Sequence, residues 1–177
     1  NREPTTSIDF SVEIDGERTV IREAADYADG ISFADATGVV EFNTSSAPTM
    51  SITGAGTVKK TYSGDWTMST QISGFTGDYV LSGGGIVTVS SGTRYYFGAE
   101  SKTGGALVVK EGNTLYVPNT GNWAVMGNRP VHIAGTGYNS MGAVNTGYAY
   151  STSGDFIKYL DNDFDYNKML EKILTQK

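Results

Sequence analysis

Few residues in this chain are of a type that does chemistry, and they are widely spaced. His132 is the sole histidine among 177 residues and there is no cysteine. Multi-histidine metal sites, thiolate sites and thiol nucleophiles are therefore excluded. Val131-His-Ile133 reads as a strand, which turns His132 away from its apolar neighbours and makes it a surface histidine rather than a catalytic base. Between residues 42 and 154 the only acids are Asp65, Asp78, Glu100 and Glu111. Asp65 and Asp78 both follow a glycine, in Gly-Asp-Trp and Gly-Asp-Tyr. Aligned on one exposed sheet they would form the carboxylate pair that glycoside hydrolysis or uronate lysis requires. Aspartates at turn corners account for the same spacing.

Two further groups are candidates for binding. Asp161, Asp163 and Asp165 alternate like the first ligands of a calcium loop, so calcium is the one cofactor the sequence suggests. Tyr166 stands where that loop needs glycine and Lys172 where it needs glutamate, which favours a capping cluster ahead of a helix. Trp66, Tyr79, Tyr95, Tyr96 and Trp123 flank glycine turns. Rings exposed on a rigid sheet there would stack on sugars or anchor a protein, and rings turned inward would brace the core. Gly54-Ala-Gly56 and Gly83-Gly-Gly85 precede no helix and read as turns rather than phosphate cradles.

The elements that must position these residues are short strands. Twenty of the 23 glycines lie in residues 42–154, a density suited to turns rather than helices. Strands are expected at Val39–Asn43, Thr49–Thr53, Thr57–Thr61, Trp66–Thr70, Tyr79–Ser82, Ile86–Ser90, Arg94–Phe97, Ala106–Lys110, Thr114–Val117, Trp123–Met126 and Val131–Ala134. Ile8, Phe10, Val12 and Ile14 alternate ahead of Asp15-Gly16, after which residues 18–22 are expected to return as a hairpin. Tyr166, Met169, Leu170, Ile173 and Leu174 recur at helical spacing. Three regions follow: a strand-rich cover over 1–38, a β body over 39–154 and a helical C-terminal cap over 155–177.

Charge follows the same division. Residues 1–41 carry ten acids and three bases, residues 42–154 four and six, and residues 155–177 five and four, for a net charge of −6. No basic block with interleaved aromatics is present, so nucleic acid is not an expected partner. No apolar run approaches the roughly 20 residues that span a bilayer. A first residue of Asn1 is what a processed or excised chain would show.

Two stretches look like worn copies of one unit: Ile52-Thr-Gly-Ala-Gly-Thr-Val-Lys-Lys-Thr-Tyr-Ser-Gly-Asp-Trp-Thr-Met68, and Ile72 to Val89 with its Gly83-Gly-Gly85 turn. The first, its continuation through Gly74-Phe-Thr-Gly77 and Gly83-Gly-Gly-Ile-Val-Thr-Val89, and Val131 to Gly147 with its Gly142-Ala-Val144 resemble the autotransporter-associated β-strand repeat. The resemblance covers roughly residues 50–150. It implies a right-handed parallel β-helix from an exported bacterial surface protein, and an extracellular or cell-surface location. The expected fold is thus an all-β solenoid, with a β-sandwich or jelly roll as the alternative. The expected function is a non-catalytic structural or adhesive module that meets a protein or glycan ligand or associates with itself. The alternatives are a carbohydrate-active β-helix and a carbohydrate-binding module.

Overall fold

The computed structural model describes residues 12–14, 18–21, 30–89, 95–99, 105–117, 129–145 and 150–151. Within them the chain forms β1 (Val12–Ile14), β2 (Arg18–Ile21), β3 (Ile31–Phe33), β4 (Val39–Phe42), β5 (Ile52–Thr53), β6 (Thr57–Lys60) and β7 (Trp66–Met68). There follow β8 (Asp78–Leu81), β9 (Gly85–Val89), β10 (Leu107–Val109), β11 (Asn113–Tyr116), β12 (Val131–Ile133), β13 (Val144–Asn145) and β14 (Tyr150–Ser151). They make three sheets: β1-β3-β5, then β2-β4-β6-β8-β10-β12, then β7-β9-β11-β13-β14. Every pairing is parallel except β13 with β14. The protein is therefore all-β among the described residues, and its strands do not pair as the antiparallel meanders of a sandwich.

Alternation along each strand builds the core. In the second sheet Val40, Val58, Tyr79, Leu107 and Val131 stand in register and are buried. A parallel row holds Phe42, Lys60, Leu81, Val109 and Ile133. The third sheet adds Trp66, Val87, Leu115 and Val144. Stacked like residues bury apolar surface at about 25 cal/mol per Å² while the backbone ladder satisfies the peptide groups. Aromatics from strands and turns fill the space between the sheets. The Phe33 and Phe75 ring centroids lie 5.8 Å apart, Phe75 meets Tyr79 edge-on at 6.4 Å, and Tyr79 meets Phe97 edge-on at 5.1 Å.

Several expectations are corrected. β1 and β2 do not form a hairpin: β1 pairs with β3 and β2 with β4, each parallel. Distant strands win over the neighbour because β2 in that register sets the buried Ile21 against Phe42. The strand expected from Thr49 begins only at Ile52. Tyr95 to Phe97 is a turn, with Tyr95 at φ 66. It still joins the stack, because Ile72 donates its N–H to the Tyr95 carbonyl and Ala99 to that of Phe75. Val80, Ile86 and Val108 occupy the outer row of their strands, although apolar. Trp123–Met126, the leader residues 1–11 and the tail 155–177 lie outside the described residues.

Successive strands of each parallel sheet, with the turns beside them, form levels that pack closely enough for glycine to be needed for space. A Cβ on Gly77 would lie 1.7 Å from the Gly56 carbonyl oxygen, whereas one on Gly112, at φ 82, meets nothing within 4 Å. Gly77→Ala is expected to destabilise by about 3 kcal/mol or more, since it pushes two backbones apart. Gly112→Ala should cost only the left-handed penalty of about 1–2 kcal/mol. Urea unfolding of the two variants checks this order; equal losses would show that the levels are less tightly apposed.

Candidate functional site

The polar groups that stand out are buried cations, and each is explained by the turns around it. β6 alternates Thr57-Val58-Lys59-Lys60, so a strand that buries Val58 also turns Lys60 inward. Lys60 is fully buried. Its ammonium donates to the carbonyls of Tyr62 at 2.5 Å, Gly84 at 2.5 Å and Ser82 at 3.5 Å. It also lies 5.7 Å from the Trp66 ring centroid and 6.0 Å from that of Tyr62. Burial pushes its pKa down to about 8, against the opposing pull of Asp65.

Arg129 does the same for a second set of turns, at residues 75–77, 99 and 105. It is fully buried, and its guanidinium donates to the carbonyls of Phe75, Gly77, Ala99 and Gly105 while stacking 5.6 Å from the Phe75 ring centroid. One side chain thus ties together turns from successive levels. Burial lowers its pKa to about 10, with Asp78 acting in the opposite sense. Asn113 repeats the role with an amide: its Oδ1 accepts from the Gly84 N–H at 2.9 Å and its Nδ2 donates to the Lys110 and Glu111 carbonyls.

Asp65 and Asp78 do not come together. Asp65 precedes β7 in the third sheet and Asp78 opens β8 in the second. Asp65 Oδ1 accepts from the Ile86 N–H at 2.8 Å and Asp78 Oδ1 from the Ala106 N–H at 2.9 Å. Each carboxylate thus links its corner to the backbone of the next level, as turn aspartates do. His132 lies half-buried between the buried Val131 and Ile133, with its side chain on the outer row as expected.

The aromatics singled out from the sequence divide differently. Trp66, Tyr79 and Tyr96 are buried. Trp66 donates its Nε1–H to the Thr44 carbonyl at 2.8 Å, so the indole is a core residue with its polar end satisfied. Tyr95 is half-buried in its turn. Trp123 and the aspartates Asp161, Asp163 and Asp165 lie outside the described residues. Among the described residues no group of three His, Cys, Asp or Glu gathers as a metal site, and no helix is long and apolar enough to cross a membrane.

Lys60 could have been found from strand alternation alone. Arg129 carried no such signal, because its four acceptors come from turns 24 to 54 residues away in sequence. Tyr138, at 36% exposure, is the one large hydrophobic side chain classed as exposed among the described residues.

Two predictions follow from the buried polar groups. Tyr79 is fully buried, its hydroxyl has no partner among the described residues, and burial drives its pKa upward. Tyr79→Phe is therefore expected to raise stability by about 1 kcal/mol; a loss on thermal unfolding would mean that the hydroxyl is satisfied. Lys60→Met leaves buried carbonyls unpaired and should cost about 2 kcal/mol at pH 7. In the wild type the folded-state pKa lies below the ordinary 10.5. The unfolded chain then binds more protons between about pH 8 and 10.5, and stability rises with pH across that window. The gap between wild type and Lys60→Met should widen there in urea titrations, and narrowing would contradict the burial of the charge. Comparison of the chain with protein-family models, with curated proteins and with solved structures gives no match.

Proposed function

We propose that the chain is a non-catalytic structural and adhesive module of a bacterial surface protein, wound as a right-handed parallel β-helix. The observation that carries the winding is a shared offset. Gly54 pairs with Phe75, Thr57 with Asp78 and Trp66 with Val87, so all three sheets are regained after 21 residues. At the next level Tyr79 pairs with Leu107 and Gly85 with Asn113, both after 28. Two sheets that lengthen their return by the same amount are expected of a chain climbing turn by turn. The right hand is the one that parallel crossovers adopt.

The adhesive role rests on where the reactive groups are employed. Asp65, Asp78, Lys60, Arg129 and Asn113 all hold backbone groups between levels. Their chemistry serves rigidity, and a rigid scaffold presents outward side chains at fixed spacing with little entropy to lose on binding. The location outside the cell rests on the resemblance of residues 52–68 and 131–147 to autotransporter repeats. Beads carrying the protein are expected to adhere to at least one of a panel of glycan-coated and protein-coated surfaces, above bare beads. Incubation with polygalacturonate or alginate should release no new reducing ends. Adhesion to no surface would sink the adhesive reading, and turnover abolished by Asp65→Asn or Asp78→Asn would replace it with an enzyme.

A further inference from the structure

We propose that the outer face of the third sheet, together with the turn folded over its end, is a recognition face for an uncharged glycan; this deepens the adhesive reading and rests on it. Thr67, Thr88 and Tyr116 stand in register on β7, β9 and β11. They alternate with the buried Trp66, Met68, Val87, Val89, Leu115 and Val117, so the row faces outward. Adjacent members are one strand spacing apart, about 4.8 Å.

The turn Gly135–Gly142 closes over the β11 end of this row. Its anchor is Thr114, which is fully buried although it lies on the outer side of β11. The Thr114 hydroxyl accepts from the Tyr138 N–H at 2.8 Å and donates to the Gly142 carbonyl at 2.8 Å. The turn is closed by Gly142 N–H to the Thr136 carbonyl at 2.8 Å and by Met141 N–H to the Tyr138 carbonyl at 3.0 Å. Asn145, next to Tyr116 in register, donates to the Met141 carbonyl at 2.7 Å and joins turn to row. Asn139 at φ 46 and Ser140 at φ 60 are both left-handed without being glycine. That conformation costs about 1–2 kcal/mol per residue, and the bonds from Thr114 and Asn145 hold it. The result is a fixed turn with Tyr138 exposed and Asn139 and Ser140 beside it.

The chemistry of this face is narrow. It offers two phenol rings, hydroxyls and two side-chain amides, and neither the row nor the turn carries a formal charge. Gly, Tyr, Asn and Ser are the residues that binding loops favour, because tyrosine gives rigid contact area and the small polar residues give hydrogen bonds. Rings that stack on the C–H faces of a sugar, flanked by groups that donate to and accept from its hydroxyls, suit a neutral saccharide. An anionic polymer would need cations that this face lacks.

Affinity electrophoresis tests the assignment, with gels containing soluble β-glucan, arabinoxylan or galactomannan, and with alginate or polygalacturonate as acidic counterparts. The protein should be retarded in at least one neutral gel. Tyr138→Ala and Tyr116→Ala should each weaken that retardation two- to tenfold, and Thr67→Lys should weaken it by placing a charge in the row. Thr53→Ala, exposed on the first sheet, should leave it unchanged; thermal melting confirms that each variant is folded. No retardation in any neutral gel, retardation in acidic gels alone, or retention unaltered in both Tyr138→Ala and Thr67→Lys overturns the proposal. Bead adhesion confined to protein-coated surfaces overturns it too, while leaving the adhesive reading intact.

Discussion

Backbone carbonyls at the corners of the stack are the constraint on which the rest depends. Parallel ladders of two to five residues satisfy the strands, but the chain leaves each sheet through a turn whose peptide groups are buried against the next level. An unpaired buried carbonyl costs on the order of 1–3 kcal/mol, and several converge at each corner. Lys60 and Arg129 meet that demand with multi-donor cations, each serving carbonyls from successive levels. Main-chain dipoles around each cation restore part of the solvation lost on burial, and the remaining deficit is what lowers both pKa values. Among the described residues no carboxylate is hydrogen-bonded to either side chain.

The same demand governs the small residues and the acids. Glycines stand where one level's backbone lies against the next, as Gly77 does on the Gly56 carbonyl. Aspartates take up backbone N–H groups where the chain enters a strand, as Asp65 does for Ile86 and Asp78 for Ala106. Side chains that would attract attention as catalytic in another setting are thus committed to joining levels. On the third sheet the outer row and the turn beside it carry mostly Thr, Tyr, Asn and Ser.

Much of the architecture was legible in the residues. Alternation at Val58-Lys59-Lys60 and Val131-His-Ile133 marked short strands and their buried faces, and the glycine density excluded helices from the body. The two worn copies at 52–68 and 72–89 correspond to strands that stack on one another, β6 on β8 and β7 on β9. The hairpin at Asp15-Gly16 misled because a turn signal is local, whereas β1 and β2 each find a parallel partner from the following level.

Composition, strand alternation and turn chemistry are properties of neighbours in the chain, and they determined an all-β protein with little free chemistry. Which strands pair in parallel is set by contacts between residues some 18 to 29 positions apart, so only the tertiary structure decided it. The fate of the polar groups belongs to that second class. Trp66 and Tyr79 were rings beside glycines until stacking buried them, Asp65 and Asp78 were a pair until they fell in different sheets, and Arg129 was an unremarked cation until four distant carbonyls enclosed it. Hydrogen bonding and burial at those positions depend on how many levels pass by, which no local pattern records.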